Sequence, residues 1–143
     1  MGLTDKTILL ISPEPWDHLF VSKHHYAIHL GSRGNQVFFL NPPSPSTQVR
    51  STQYENVSVV EYTGFPKGLR FYPPLVRKYF TRKVYRHLEA LCGVRFDLVW
   101  SFDNSVFYHF DAFPDRVVCI SHIVDLNQDF QTSLAAKSAD LCI

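Results

Sequence analysis

The chain has 143 residues, about the length of one domain, with 45% hydrophobic and 19% charged residues and a formal net charge of +1. This composition is typical of a globular domain, and the near-neutral charge argues against a nucleic-acid partner, which would favour a basic chain. No uncharged apolar run approaches the roughly 18 residues of a transmembrane helix, and the apolar segment near the N-terminus is too short for a signal peptide.

Short apolar runs alternate with helical patterns along the chain. Strands are predicted at residues 7–11, 36–40, 57–62, 96–102, 116–121 and 139–143. Amphipathic spacing predicts helices from about Asp17 to Gly34, at 75–92 and at 129–138, with a short helix at 104–110 and a surface loop at 42–56. This order predicts an α/β fold, a doubly wound, mostly parallel, Rossmann-like sheet of about six strands with helices on both faces.

The final predicted strand runs to the last residue, with no helix after it to cover the sheet. Either this strand is an edge of the sheet or the chain is part of a longer protein. We favour the second interpretation, in which residues 1–143 are a single domain, the N-terminal half of that protein.

The three cysteines, Cys92, Cys119 and Cys142, are widely spaced and form no CxxC pair. This pattern predicts neither a disulfide framework nor a zinc site and favours a reduced, cytoplasmic chain. His25 and His29 share a helix face, but no HExxH motif or matching carboxylate accompanies them, so we expect a solvated or partly buried face and no metal.

Ligands of open α/β sheets bind beyond the carboxyl ends of the strands. The first of these loops has no GxGxxG motif, and the second strand ends in Asn41 and not in the acidic residue that holds a ribose. A Walker A sequence is also absent. We therefore expect neither a dinucleotide nor any other cofactor.

The first loop instead carries Glu14, Trp16, Asp17 and His18. Asp17 is well placed to cap the following helix, and its charge makes that helix start a poor phosphate site. A carboxylate, an indole and an imidazole suit a sugar-like ligand, whose rings stack and whose hydroxyls accept and donate hydrogen bonds. The alternative is that Trp16 packs on the core and His18 is a solvated residue of the first turn.

Polar residues also follow two later strands. His122 and Asp125 come just after the strand RVVCIS, where an imidazole could act as general base with a carboxylate fixing its tautomer. The alternative is that His122 only caps the next turn. A weaker candidate for substrate binding is the segment WSFDN, with Ser101, Asp103 and Asn104, in which either of the last two could simply cap a helix.

The order of these segments resembles a known family. The Trp-containing loop, the helix end LGSRG, then NQVFFLNPP, FDLVWSFD, VVCISHIVD and SADLCI follow the pattern of the N-terminal half of GT-B glycosyltransferases, closest to the bacterial family-4-like enzymes. The first loop lacks the Gly-Gly pair that is frequent there, and Asp125 follows His122 by three residues instead of directly.

The resemblance implies a glycosyltransferase that moves a sugar from a nucleotide-sugar donor to a hydroxyl acceptor, which is a sugar or a lipid-linked molecule, in cell-surface polysaccharide or glycolipid assembly. It implies that this domain carries the acceptor site, with His122 and the Trp16 loop facing the cleft. A C-terminal domain would bind most of the donor, so we expect residues 1–143 alone to be inactive. The alternative is a non-catalytic, flavodoxin-like module that binds a nucleotide or sugar; a nucleotide-sugar epimerase is disfavoured by the missing glycine motif.

One predicted helix, LVRKYFTRKVYRHLEALC, has a basic face formed by Lys78, Arg82 and Arg86 at i,i+4 spacing. We expect the opposite stripe of Val76, Phe80, Val84 and Leu88 to pack on the sheet, which would leave the basic face free. The hypothesis is that this face contacts anionic lipid headgroups at the inner side of the membrane. The alternative is a solvated face.

Overall fold

The structure is a computed structural model that describes residues 4–17, 22–103, 105–122 and 130–142. Its strands are β1 (Thr7–Ile11), β2 (Gln36–Leu40), β3 (Gln48–Ser51), β4 (Val57–Glu61), β5 (Leu98–Ser101), β6 (Val118–Ser121) and β7 (Leu141–Cys142). The helices are α1 (Ser22–Ser32), α2 (Pro74–Cys92) and α3 (Phe130–Ser138), and 3₁₀ turns lie at Leu69–Phe71 and Phe110–Ala112.

The strands form one sheet in the order β3-β4-β2-β1-β5-β6-β7. Each described pair is parallel except the pair of β3 with β4. Ile11 at the end of β1 lies between Leu40 of β2 and Ser101 of β5. The chain therefore moves outwards from β1 through β2 and β4 and then returns to β5, so the topological switch point lies between β1 and β5.

The helices cover both faces of this sheet, which confirms the predicted fold class. Alternate residues of β1 point to opposite faces. Ile8 and Leu10 pack with Ala27 and Leu30 of α1 in one core cluster. Leu9 and Ile11 belong to the second cluster, together with side chains of α2 and α3.

Two sequence-based assignments differ from the structure. Residues 48–51 were expected within a surface loop, but they form the antiparallel edge strand β3, whose Val49 pairs with Val60 of β4. The short helix expected at 104–110 is replaced, within the described residues, by a 3₁₀ turn at Phe110–Ala112. This segment is held in place by buried aromatic side chains, Phe107, Phe110 and Phe113, and not by helical periodicity.

The helix α2 begins and ends close to its predicted bounds. Pro74 occupies its first position, where the missing N–H costs nothing, and Gly93 ends it in a left-handed conformation with φ of 69°. None of the helices in the described part of the chain is both long and apolar enough to cross a membrane.

Candidate functional site

The strands on either side of the switch point end in the same kind of turn. The Ser12 hydroxyl donates to the carbonyl of Glu14 at 2.8 Å and accepts the Glu14 N–H at 3.1 Å. The Ser101 hydroxyl makes the same two bonds, both 3.2 Å long, with the backbone of Asp103. Both serines are buried. Ser101 therefore shapes the loop, and its hydroxyl is not turned to a ligand as the sequence analysis expected.

Glu14, which follows one of these turns, is held by an ion pair. Nζ of Lys23 in α1 lies 3.0 Å from Oε2 of Glu14 and 3.2 Å from Oε1. The Lys23 side chain is 10% exposed, whereas that of Glu14 is 34% exposed. The carboxylate is thus held in place by Lys23: its Oε2 is buried, although the side chain as a whole is partly exposed.

His122 lies directly past β6 and beside the end of β5. Its backbone N–H donates to the carbonyl of Ser101 at 2.8 Å. The half-buried ring packs against Phe102 at a centroid distance of 4.6 Å, with Trp100 at 6.2 Å and Tyr26 of α1 at 6.4 Å. His122 is therefore part of an aromatic group at the carboxyl edge, on the face covered by α1.

Two effects favour the uncharged form of the His122 imidazole. Burial lowers its pKa below the ordinary value of 6.5, and the positive charge of Lys23 lowers the pKa further. Nδ1 is buried and has no hydrogen-bond partner among residues 4–17, 22–103, 105–122 and 130–142. A neutral imidazole carries one unprotonated nitrogen, which can accept a proton.

Trp16 was open to two interpretations, and the structure supports packing. The indole is 4% exposed and lies in the α1 core cluster, with ring centroids 5.1 Å from Phe39 and 5.2 Å from His24. Its backbone N–H donates to Oδ1 of Asn41 at the end of β2, at 2.9 Å. The ring therefore offers no open face for a sugar, which corrects the expectation that it lines the ligand.

The carboxylates of Asp17 and Asp103 are engaged in the local structure. Asp17 forms an ion pair with Arg50, so it ties the first loop to the edge strand β3. Asp103 accepts the backbone N–H of Ser105 at 3.0 Å and also contacts the Ser105 hydroxyl. Asp103 thus closes a turn, as in the capping alternative, although its half-exposed side chain remains at the carboxyl edge.

Three of the residues proposed from the sequence, His18, Asn104 and Asp125, lie outside the described residues. Their assigned roles stay predictions, and so does the role of Asp17 as helix cap, because residues 18–21 fall outside the described part as well.

Sequence reasoning missed two residues of this site, Lys23 and Tyr26. They lie three positions apart on α1. Lys23 contacts Glu14 after β1, and Tyr26 stacks on Trp100 of β5. The available signal was the position of the helix, which follows the first loop and must lie over that loop and the neighbouring strand ends.

Two clefts lie at the same edge on the other face of the sheet. One, of about 470 Å³, is lined by residues that follow β2, β4 and β5, with Lys67, Arg70 and Tyr108 among them. The other, of about 550 Å³, lies between the residues after β4 and α2 and includes Phe65 and His87. Both can receive a small molecule, but neither includes His122 in its lining.

The expected free basic face of α2 is partly occupied. Nζ of Lys78 lies 2.8 Å from Asp111, and Nε of Arg82 donates to the carbonyl of Ala112 at 3.4 Å, whereas Arg86 is exposed. The residues of α2 that are fully buried are Thr81, Tyr85 and Leu88. Because the buried stripe is rotated from the expected one, Lys78 and Arg82 lie against the 110–112 turn, although the side chains of Arg82 and Arg86 are exposed.

The cysteines of the described chain are not reactive thiolates, and its cysteines and histidines form no metal-binding group. Cys92 and Cys119 are free thiols, and burial raises the pKa of each to about 12, so neither is a thiolate at neutral pH. No group of three or more His, Cys, Asp or Glu side chains in the described ranges could hold a metal ion.

Comparison with known proteins adds no family assignment, since no protein-family model matches the chain and no curated protein matches it significantly.

Proposed function

We propose that the chain is the acceptor-side domain of a glycosyltransferase, which transfers a sugar from a nucleotide-sugar donor to a hydroxyl group. The observation that carries this proposal is the position of His122 at the carboxyl edge of the sheet, where its N–H donates to the Ser101 carbonyl at the end of β5. Lys23, whose charge lowers the pKa of His122, also holds the carboxylate of Glu14. The order of sequence segments that resembles GT-B enzymes supports it independently.

In the proposed reaction, His122 accepts the proton of the acceptor hydroxyl. The hydroxyl oxygen then forms a bond to the anomeric carbon of the donor sugar, whose bond to the nucleoside diphosphate breaks. The low pKa of His122 favours this role, because a general base must be unprotonated when substrate binds. Asp125 is proposed to orient the imidazole.

Glu14 and the aromatic group would position the acceptor. The Glu14 carboxylate can accept hydrogen bonds from sugar hydroxyls while Lys23 holds it. Trp100 and Tyr26, whose rings stack with an interplanar angle of 16°, give an apolar surface beside His122, and Tyr26 is 40% exposed. Sugar rings present C–H groups that pack on such aromatic faces.

We place the enzyme in the cytoplasm, peripheral to the inner face of the membrane, in the assembly of a cell-surface polysaccharide or glycolipid. A C-terminal domain would hold most of the donor. The free thiols of Cys92 and Cys119 are compatible with a reducing compartment.

A non-catalytic module that binds a nucleotide or sugar is the second candidate. The two clefts on the α2 face favour it, since each has room for a small molecule and one of them contains Lys67 and Arg70 for an anionic group.

An NMR titration of the 143-residue chain distinguishes the two functions. The glycosyltransferase proposal expects neutral disaccharides to shift the resonances of Glu14, Tyr26, Trp100 and His122, with nucleoside diphosphates binding only weakly to this half. If nucleotides bind tightly and saccharides leave these four residues unchanged, the binding module is the better description.

A further inference from the structure

The region around the start of α2 exposes apolar side chains to an unusual degree. Phe71 in the 3₁₀ turn is 83% exposed, and Leu75 in the first turn of the helix is 81% exposed. Tyr72 and Tyr79 are 49% and 57% exposed. Leu75 and Tyr79 are four residues apart and share one face of α2. An exposed apolar group of this size points to a binding surface, whereas single exposed apolar residues need no explanation.

The same segment concentrates positive charge. Residues 62–88 hold seven of the chain's 14 lysines and arginines and no Asp or Glu, although the whole chain has a net charge of only +1. Lys78 and Arg82 lie on the side of α2 that contacts the 110–112 turn. Lys67, Arg70 and Lys83 instead flank the exposed apolar residues.

These basic groups lie next to the aromatic rings. The guanidinium of Arg70 lies 5.4 Å from the centroid of Phe71, and Nζ of Lys83 lies 6.0 Å from that of Phe80, one residue after Tyr79. We use the name aromatic–basic surface for Phe71, Tyr72, Leu75 and Tyr79 together with Lys67, Arg70 and Lys83.

We infer that the aromatic–basic surface docks on an anionic lipid bilayer. Phe71 and Leu75 would insert at the boundary between headgroups and acyl chains, the two tyrosines would lie at the headgroup level, and the cations would contact lipid phosphates or carboxylates. This inference rests on the peripheral membrane location proposed above and is independent of the chemistry proposed for His122.

Charge argues against a second copy of this chain as the occupant. A twofold dimer through the aromatic–basic surface would bring two sets of cations with no acidic residue against each other, and like charges oppose such contacts. An anionic bilayer supplies opposite charge over the whole surface. Each lysine or arginine near such a membrane strengthens partitioning by roughly fivefold.

Co-sedimentation with sucrose-loaded vesicles tests the inference on the 143-residue chain. We expect binding to vesicles of phosphatidylcholine with phosphatidylserine, weak binding to pure phosphatidylcholine, and a decrease as salt is raised, since salt screens the charges. The partition coefficient for these anionic vesicles should be about tenfold or more lower for Phe71→Ser/Leu75→Ser, because this variant lacks the inserting groups. It should be roughly 25-fold lower for Arg70→Gln/Lys83→Gln.

Matched controls lie elsewhere on the molecule. Val118→Ser/Leu141→Ser removes two side chains that are 49% and 51% exposed on β6 and β7. Lys6→Gln/Arg33→Gln removes two exposed cations at the amino edge of the sheet. Both controls should bind vesicles within about threefold of the parent chain, and thermal melts establish that every variant is folded.

Equal binding to neutral and anionic vesicles, or an equal loss in the control variants, would overturn the inference. It is also overturned if the chain binds no vesicles but self-associates in solution and Leu75→Ser abolishes that association, because the surface would then be an interface between copies of the chain.

Discussion

Nζ of Lys23 lies 3.0 Å from Oε2 of Glu14, which joins the helix α1 to the loop that follows β1. The same ammonium group lowers the pKa of His122, after the larger effect of burial. A single cation on α1 therefore fixes the carboxylate of the candidate site and helps to keep the imidazole unprotonated.

Replacing Lys23 by Met should alter both partners. The Glu14 carboxylate loses its ion pair, and we expect a decrease in unfolding free energy of about 1–2 kcal/mol, because the pair is only partly shielded from solvent. The pKa of His122 should rise toward 6.5, as followed by NMR of the imidazole protons. Lys23→Arg is the control that retains the charge, and an unchanged His122 pKa in Lys23→Met would contradict the coupling.

His122 should be needed for turnover but not for folding. In the proposed glycosyltransferase, we expect His122→Ala to lower kcat by roughly 10²–10⁴-fold, the usual contribution of a positioned general base. The melting temperature should change little, because the ring is only half-buried. The matched control is His29→Ala, an exposed histidine of α1 away from the strand ends. Unaltered turnover in folded His122→Ala would reduce His122 to a capping residue.

The sequence was sufficient to predict the architecture because buried parallel strands are short, continuous apolar runs. β1, β2 and β4 were located in this way. α2 was located by the helical spacing of its apolar residues and by Gly93 after its end. β3 was missed because its residues, QVRS, are largely exposed. It forms through backbone bonds to β4, and such pairing leaves no hydrophobic pattern in the edge strand.

The candidate site was predicted less completely, since sequence shows which residues follow a strand but not where their side chains point. Trp16 follows β1 as expected, yet its side chain is buried in the core. Its N–H donates to Asn41, which follows β2, and its ring packs against Phe39 of β2. Conversely, Lys23 reaches the site from within a helix, and only the packing of α1 over the strand ends brings it to Glu14. Such long-range contacts depend on tertiary structure.

Glu89 should be important for stability at the end of α2. Its Oε2 accepts the Tyr85 hydroxyl at 2.8 Å, the Phe96 N–H at 3.1 Å and the Arg116 guanidinium at 3.1 Å. Tyr85 is fully buried, so Glu89→Ala leaves a buried hydroxyl without its acceptor. We expect the unfolding free energy, measured by urea denaturation, to decrease by about 2–4 kcal/mol. Glu89→Gln should recover part of the loss, and Asp115→Ala, at an exposed position, should be nearly neutral.

Gly31 should tolerate no side chain, although it lies inside a helix where alanine is intrinsically favoured by about 1 kcal/mol. A Cβ atom there would overlap the backbone carbonyl of Glu55 and lie 2.8 Å from Cγ2 of Val57. Because α1 would have to move away from β4, Gly31→Ala should lower the unfolding free energy by about 2–3 kcal/mol in total. Gly93→Ala is the comparison. A Cβ atom at Gly93 would meet open space, so this variant should lose only the unfolding free energy that corresponds to the strain of its positive φ, about 1–2 kcal/mol. A smaller loss at Gly31 than at Gly93 would contradict the packing argument.

Stability should fall as the pH is lowered through the ordinary pKa of histidine. His24 is fully buried between Trp16 and Phe39, and His109 is 2% exposed. Burial lowers the pKa of both in the folded chain. Below about pH 6.5 the unfolded chain therefore binds protons that the folded chain does not, and the unfolding free energy decreases until the folded pKa values are passed.

The contribution of His24 to this pH dependence can be isolated by replacing it with Phe, which keeps an aromatic ring against Trp16 and Phe39 but cannot titrate. His24→Phe should lose the hydrogen bond between Nε2 and the carbonyl of Pro15, 3.2 Å long, and so be less stable at pH 7.5. Its unfolding free energy, measured in urea at pH 7.5 and 5.5, should nevertheless decrease less between the two pH values than that of the parent chain. The same replacement at the exposed His87 should leave this decrease unchanged. If His24→Phe and the parent chain lose equal stability over this range, protonation of the buried His24 is not the cause.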